Sequence, residues 1–74
     1  MKMAISDMKE GTKCYVRGPI NVSNKILEYV FGVIQNSPYQ AEKTVFITLD
    51  NQDGDIEIST DKVYWPDQYF LDYL

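Results

Sequence analysis

The chain has 74 residues, with 7 basic and 11 acidic side chains, no histidine and one cysteine. This length allows one small domain, a single cysteine excludes an internal disulfide, and the lack of histidine excludes most transition-metal sites and nucleophile–base pairs. Apolar residues make up 45% of the chain, as in globular domains. We therefore expect one domain over residues 1–74 that is not an enzyme and holds no cofactor or metal.

No apolar run approaches the roughly 20 residues that a membrane span needs. The first residues contain no apolar signal region, and a reduced thiol fits a reducing compartment. We therefore expect a cytoplasmic protein with no membrane partner.

The charge is distributed unevenly along the chain. Residues 1–43 carry six basic and four acidic side chains, a net charge of +2, whereas residues 44–74 carry one basic and seven acidic side chains, a net charge of −6. Such asymmetry indicates a partner with a basic surface, although acidic surfaces also serve solubility alone. Direct binding to nucleic acid is disfavoured, because phosphate contacts need a basic stripe.

The first half of the chain predicts a turn at Gly11 and then two strands. Residues 12–17 alternate between apolar and polar side chains, and Gly18-Pro19 predicts the end of this strand. A loop is expected over residues 21–24. Residues 26–35 then form a long apolar strand, in which Gly32 predicts a bulge or a sharp bend.

The second half begins with a predicted turn and polar loop over residues 36–43. Strands follow over residues 44–50 and 55–59, joined by a hairpin in which Asp53-Gly54 supplies positive φ. After a turn at residues 60–62, a short strand at 63–65 precedes a helical segment that begins at Pro66. The expected fold is mostly β, with four or five antiparallel strands in a small SH3-like barrel or a bent sheet and a short C-terminal helical turn. An open sheet that pairs with a second copy is the main alternative.

The strand over residues 26–35 is apolar on both faces, whereas a half-solvated strand should alternate. Either another part of the chain or a second copy must cover the second face. Small domains without disulfides often gain core by association, and we expect a homodimer. Its predicted interface is the face that carries Leu27, Tyr29, Phe31 and Val33.

Acidic side chains crowd one predicted hairpin, at Asp50, Asp53, Asp55 and Glu57. They do not form an EF-hand, because Leu49 and Thr60 would stand at the first and last ligand positions. Two interpretations remain. The acids either keep a sheet edge from pairing, or they form a negative patch that imitates the charge of a nucleic-acid backbone.

The C-terminal segment is the most aromatic part of the chain, and Tyr and Trp are enriched at binding hot spots. The alternative is that Trp65, Phe70 and Leu71 close one end of an open barrel. We expect both to hold in part, with some rings buried and Tyr64, Tyr69 and Tyr73 partly exposed. Cys14 has no histidine to activate it and is expected in the core.

The spacing of apolar residues and glycines resembles that of SH3-like and Tudor-like small barrels. It consists of Met8-x-x-Gly11-x-x-Cys14-x-Val16, Val30-x-Gly32-x-Ile34, Val45-x-Ile47-x-Leu49 and Gly54-x-Ile56-x-Ile58. The motifs with which SH3 domains bind proline-rich peptides are absent from the sequence, so that activity is not implied.

In length, acidity and its Asn-, Lys-, Ile-, Tyr- and Asp-rich usage, the chain also resembles short acidic proteins that lytic phages make to disable host functions. Within that group it is similar to inhibitors of the bacterial DNA sliding clamp from staphylococcal phages. The resemblance implies a dimer that occupies the basic channel of the clamp ring and blocks replication in the host cytoplasm.

A second mode of clamp binding is conceivable, because Gln68-x-x-Leu71-x-Tyr73 is similar to bacterial clamp-binding peptides. An SH3-like module that binds another host or virion protein through C-terminal aromatics is the alternative function. The complete set of predicted partner contacts is Asp50, Asp53, Asp55, Glu57, Asp61, Tyr64, Trp65, Asp67, Gln68, Tyr69, Leu71 and Tyr73.

Overall fold

The computed structural model describes residues 1–22, 24–36, 43–50 and 52–73, apart from the side chains of Val22 and residues 27–29. These residues form one curled antiparallel sheet with the strand order β4-β3-β2-β1-β5. The strands are β1 (Lys13–Val22), β2 (Lys25–Ile34), β3 (Thr44–Leu49), β4 (Asp55–Ser59) and β5 (Val63–Tyr64). Single 3₁₀ turns lie at Ile5–Asp7 and Thr60–Lys62, and the helix α1 spans Asp67–Tyr73.

The predicted fold, mostly β with a bent sheet and a short C-terminal helix, is confirmed. The sheet curls into a half-barrel whose edges, among the described residues, are β4 and β5. A turn at Gly11 is also present, and its positive φ of 87° is a conformation that glycine adopts at little cost. Among the residues described, no helix has the length and apolar character to span a membrane.

The hydrophobic core lies on the inner, concave face of the sheet, and each strand contributes to it by alternation. In β3, for example, Val45, Ile47 and Leu49 are buried, whereas Phe46 points to the other face and is exposed. Met3 and Met8 close the core from the N-terminal segment. Burial of each such side chain stabilises the folded state by about 1.5–3 kcal/mol. The core thus stabilises a small chain that has no disulfide.

The predicted end of the first strand at Gly18-Pro19 is wrong. β1 continues to Val22, and its pairing with β2 shifts register between Arg17 and Ile20. An irregularity of this kind accommodates a proline that a regular ladder would reject. The predicted loop over residues 21–24 is correspondingly shorter, since β2 begins at Lys25.

Gly32 does not mark the predicted bulge or bend. It pairs regularly with Cys14 of β1 and with Leu49 of β3. A Cβ atom at this position would lie 2.7 Å from Cγ2 of Ile47 and 2.8 Å from the carbonyl oxygen of Thr48. The glycine is therefore required by close packing against β3.

The hairpin between β3 and β4 has the predicted glycine turn, with a φ of +82° at Gly54. Residues 60–62 form a 3₁₀ turn where a simple turn was expected. Most of the predicted turn and loop over residues 36–43 lies outside the described residues, as does Asn51 at the hairpin tip.

Candidate functional site

Of the predicted contacts, Asp55, Glu57 and Tyr64 lie on strands, and the others lie in turns, short connecting segments or α1. The outer, convex face of the sheet consists of the outward-pointing side chains of the strands. Strand register determines which of them are neighbours: Tyr15 lies opposite Phe31, and Thr48 lies opposite both Val33 and Asp55. One half of this face, over β1 and the Phe31 region of β2, is covered by α1, whereas the other half, over β3 and β4, is open. The two halves differ in chemistry.

The covered half is an aromatic cluster centred on Tyr15, which is fully buried. The ring of Tyr69 in α1 packs edge-on against Tyr15, with 5.9 Å between centroids, and lies 5.1 Å from the ring of Phe31. The helix of the same chain therefore supplies cover at Phe31, a residue predicted to form a dimer interface. Val33 is half-buried on the same face, the side chains of Leu27 and Tyr29 lie outside the described residues, and the homodimer stays a prediction.

A polar network fixes α1 in this position. The carboxylate of Asp72 accepts hydrogen bonds from Tyr15 Oη at 2.9 Å and Gln68 Nε2 at 3.0 Å, and it forms an ion pair with Arg17 at 3.1 Å. These interactions keep the pKa of Asp72 below its ordinary value, and the hydrogen bond from Gln68 has the largest effect. Burial, with the neighbouring carboxylate, raises the pKa of Tyr15 far above that of an ordinary phenol.

The open half contains the acidic face, which we define as Asp53, Asp55, Glu57 and the exposed ring of Phe46. Asp55 accepts a hydrogen bond from Thr48 Oγ1 at 2.7 Å, and Glu57 accepts one from Thr44 Oγ1 at 3.0 Å. Hydrogen bonds from hydroxyl groups leave the carboxylate charge uncompensated. In the described part of the chain no ion pair involves the three carboxylates of this face.

The other acids predicted as contacts are engaged within the chain. Asp50 forms a bidentate contact with Lys13 Nζ, at 2.8 and 2.9 Å, and Asp67 pairs with the terminal amine at 3.3 Å. Asp61 accepts a hydrogen bond from Ser59, which lowers the pKa of its carboxyl. The predicted negative patch is therefore smaller than the sequence indicated, because Asp50 and Asp67 are ion-paired, while Asp61, like Asp55 and Glu57, forms no ion pair among the described residues.

The predicted clamp-binding motif is helical and partly engaged. Gln68 accepts a hydrogen bond from the terminal amine at 2.9 Å and donates one to Asp72, while the ring of Tyr73 lies 5.1 Å from that of Tyr69. Leu71 is 73% exposed and Tyr73 is 44% exposed. An extended peptide mode would require this helix to leave the sheet.

The remaining aromatic contacts predicted near α1 also have neighbours in the chain. Trp65 packs against the core, and the guanidinium of Arg17 lies 5.4 Å from the ring centre of Tyr64. Phe70, for which closure of a barrel end was one interpretation, is 56% exposed.

The single cysteine of the chain lies in the core. Cys14 is buried and its thiol faces the carbonyl of Gly32 at 3.5 Å, and burial raises its pKa to about 12. No group of three acidic, cysteine or histidine side chains converges for a metal ion within the ranges described.

Phe46 was not counted among the predicted contacts. It is 42% exposed and pairs across the strands with Glu57. An apolar residue at an outward position of an alternating strand was the available signal. No family model, curated protein or solved structure matches the chain.

Proposed function

We propose that the chain is a non-catalytic inhibitor that uses the acidic face to bind a basic protein surface, namely the DNA channel of a bacterial sliding clamp. The observation that carries the proposal is the pair of uncompensated carboxylates at Asp55 and Glu57 beside an exposed phenylalanine. The clamp itself is proposed from the resemblance to phage inhibitors, which also makes the host cytoplasm the place of action.

The spacing of the charges suits such a partner. Asp55 and Glu57 point to the same face, two residues apart on one strand, so they stand about 7 Å from each other. This is about twice the 3.4 Å rise per phosphate along one DNA strand. Phe46 adds apolar area next to the charges.

Association of two copies would strengthen binding to a ring. Each chain carries a net charge of −4, so a homodimer would bring twice that charge into one basic channel. Long-range attraction of this kind speeds association and depends on ionic strength.

The experiment measures binding to purified clamp at about 50 mM and about 500 mM NaCl, where the screening length differs about threefold. We expect the affinity to fall steeply with salt, and the double variant Asp55→Asn/Glu57→Gln to bind about tenfold more weakly, a loss of about 1.4 kcal/mol. The matched control is Asp7→Asn/Glu10→Gln, which removes two exposed charges from the N-terminal segment. Absence of a complex at both salt concentrations would refute the proposal.

A second function, an interaction module that binds through C-terminal aromatics, is favoured by the exposure of Phe70 and Leu71. Its binding would resist salt and would be lost in Phe70→Ser/Leu71→Ser with the acidic face intact. The two modes are therefore separated by the same binding assay.

A further inference from the structure

The outer edge of β4 offers unpaired backbone groups at defined positions. The amide of Thr60 donates to the carbonyl of Lys43 at 2.8 Å, which sets the alternation of hydrogen bonds between β3 and β4. Hydrogen-bonded and non-hydrogen-bonded pairs alternate along an antiparallel ladder. Starting from the bonded pair Lys43–Thr60, the next bonded pairs are Val45–Ile58 and Ile47–Ile56. The pairs between them, Phe46–Glu57 and Thr48–Asp55, do not exchange hydrogen bonds. The N–H and C=O groups of Asp55 and Glu57 therefore point away from β3.

An independent hydrogen bond supports this assignment. The amide of Gln35, next to β2, donates to the carbonyl of Phe46 at 2.9 Å. The backbone of Phe46 is thus directed to β2 and not to Glu57. No strand of the described chain pairs with the far side of β4.

A cleft of about 250 Å³ lies beside this edge, between β4 and the second half of β1. Its apolar lining comes from Ile20, Ile56 and Ile58. At one end, Lys62 Nζ donates to the carbonyl of Pro19 at 3.2 Å. The free strand edge and the apolar cleft are therefore adjacent, as a strand added to the sheet would require.

We propose that β4 binds an extended segment of its partner as an added antiparallel strand, in which basic residues alternate with apolar ones. The inference rests on the proposed function, since it assumes a basic partner. Residues that hydrogen-bond opposite Asp55 and Glu57 present their side chains on the outer face, where lysine or arginine meets the two carboxylates. The residues between them point to the cleft and to the three isoleucines.

The charge of the acidic face also argues against a second copy of this chain as the strand that pairs with β4. Pairing β4 with β4 of another chain would bring the acidic faces of both chains together along one edge. Opposed like charges destabilise strand pairs, and charged side chains on edge strands prevent such association. A basic segment would instead be attracted by the same carboxylates.

The probe is a blocked heptapeptide, Lys-Val-Lys-Val-Lys-Val-Lys, added to the intact chain and followed by NMR. We expect the amide signals of Asp55 and Glu57 to shift and their hydrogen exchange to slow by about tenfold or more. A peptide with glutamate in place of lysine should cause neither change. Perturbation at α1 with an unchanged β4 would overturn the proposal, and so would protection of β4 that depends on protein concentration without peptide, since a second copy would then occupy the edge.

Backbone methylation of the peptide tests strand pairing directly with the native chain. In the proposed register the lysine amides face β4, so N-methylation of an inner lysine, the third or the fifth residue of the peptide, should weaken binding more than tenfold. N-methylation of a valine, whose amide points away, is the matched control and should have a small effect. Equal binding of the lysine-methylated and unmodified peptides would refute the added strand.

A protein variant gives the reciprocal test. Glu57→Pro removes the carboxylate and an amide that faces outward, at a position where an edge strand tolerates proline. Glu57→Gln removes the charge alone and is the matched control. We expect Glu57→Pro to bind both peptide and clamp at least tenfold more weakly than Glu57→Gln. If the clamp binds the two variants equally, strand addition is refuted and the acidic face remains the binding site. If the clamp binds neither the wild-type chain nor any variant, the proposed function is refuted, whatever the result with the peptide.

Discussion

The hydroxyl of Tyr15, near the start of β1, donates a hydrogen bond to Oδ2 of Asp72, in the last turn of α1, at 2.9 Å. Fifty-seven residues separate the two along the chain. With the Tyr69 ring packed on Tyr15, this bond holds the helix over one half of the outer face. The position of the helix therefore decides which half remains open to a partner.

Removing the Tyr15 hydroxyl should loosen this anchor without removing the ring contacts. We expect Tyr15→Phe to lower the free energy of unfolding by about 1–2 kcal/mol, since a hydrogen bond to a carboxylate is lost from a buried position. The control is Thr44→Val, which removes an exposed hydroxyl–carboxylate bond and should cost less than about 0.5 kcal/mol. Urea unfolding followed by the fluorescence of Trp65 measures both, and equal losses would contradict the anchor.

The same anchor makes part of the stability depend on pH. The folded state lowers the pKa of Asp72 from its ordinary value of 3.8, so the ionised carboxylate stabilises the fold above that pH. This contribution is lost as the pH falls through the lower folded pKa. We expect Asp72→Asn to be less stable than wild type at pH 7 and the difference to shrink below about pH 4; a difference that is constant from pH 7 to pH 2.5 would contradict this.

Gly32 should tolerate no side chain, because Ile47 and the Thr48 carbonyl occupy the space on its open side. We expect Gly32→Ala to destabilise by about 1–3 kcal/mol, the usual cost of overpacking. Gly54→Ala is a contrasting control, since nothing lies within 4 Å of its Cβ position and only the positive φ opposes the change. Chemical denaturation compares them, and a Gly32→Ala protein as stable as wild type would refute the packing argument.

The inner face of the sheet could be predicted from the sequence, whereas the outer face could not. Alternation over residues 44–50 and 55–59 correctly placed the isoleucines and valines of β3 and β4 inward, because each inner position must reach the same core. The turn at Gly18-Pro19 was misjudged because local turn preference was overruled by pairing with β2. Gly32 was misjudged because close packing leaves no mark in the local sequence.

The candidate site was predictable only where local pattern suffices. The outward directions of Asp55 and Glu57 follow from the two-residue period of β4. By contrast, the pairing of Lys13 with Asp50 joins residues 37 positions apart, and burial of Tyr15 depends on a helix at the far end of the chain. Such long-range contacts pair Asp50 with Lys13 and Asp67 with the terminal amine, so the uncompensated acidic patch is smaller than predicted.

The thiol of Cys14 should be inert in the folded protein. Burial raises its pKa to about 12, so very little thiolate exists at neutral pH, and the side chain is fully buried. We expect a thiol-reactive dye to label the native chain only at the rate at which it unfolds, and to label it rapidly in urea. Fast labelling without denaturant would contradict the buried position.

The exposed side of α1 provides the sharpest discrimination between the two binding modes. Phe70 and Leu71 are 56% and 73% exposed, so Phe70→Ser/Leu71→Ser removes apolar surface without opening a cavity. We expect this variant to retain wild-type stability within about 0.5 kcal/mol. We also expect it to bind clamp within about twofold of wild type, because the acidic face lies on the other half of the sheet.

Circular dichroism confirms the fold of the variant before the binding assay. A loss of clamp binding in this variant, with Asp55→Asn/Glu57→Gln unaffected, would transfer the site from β4 to the helix.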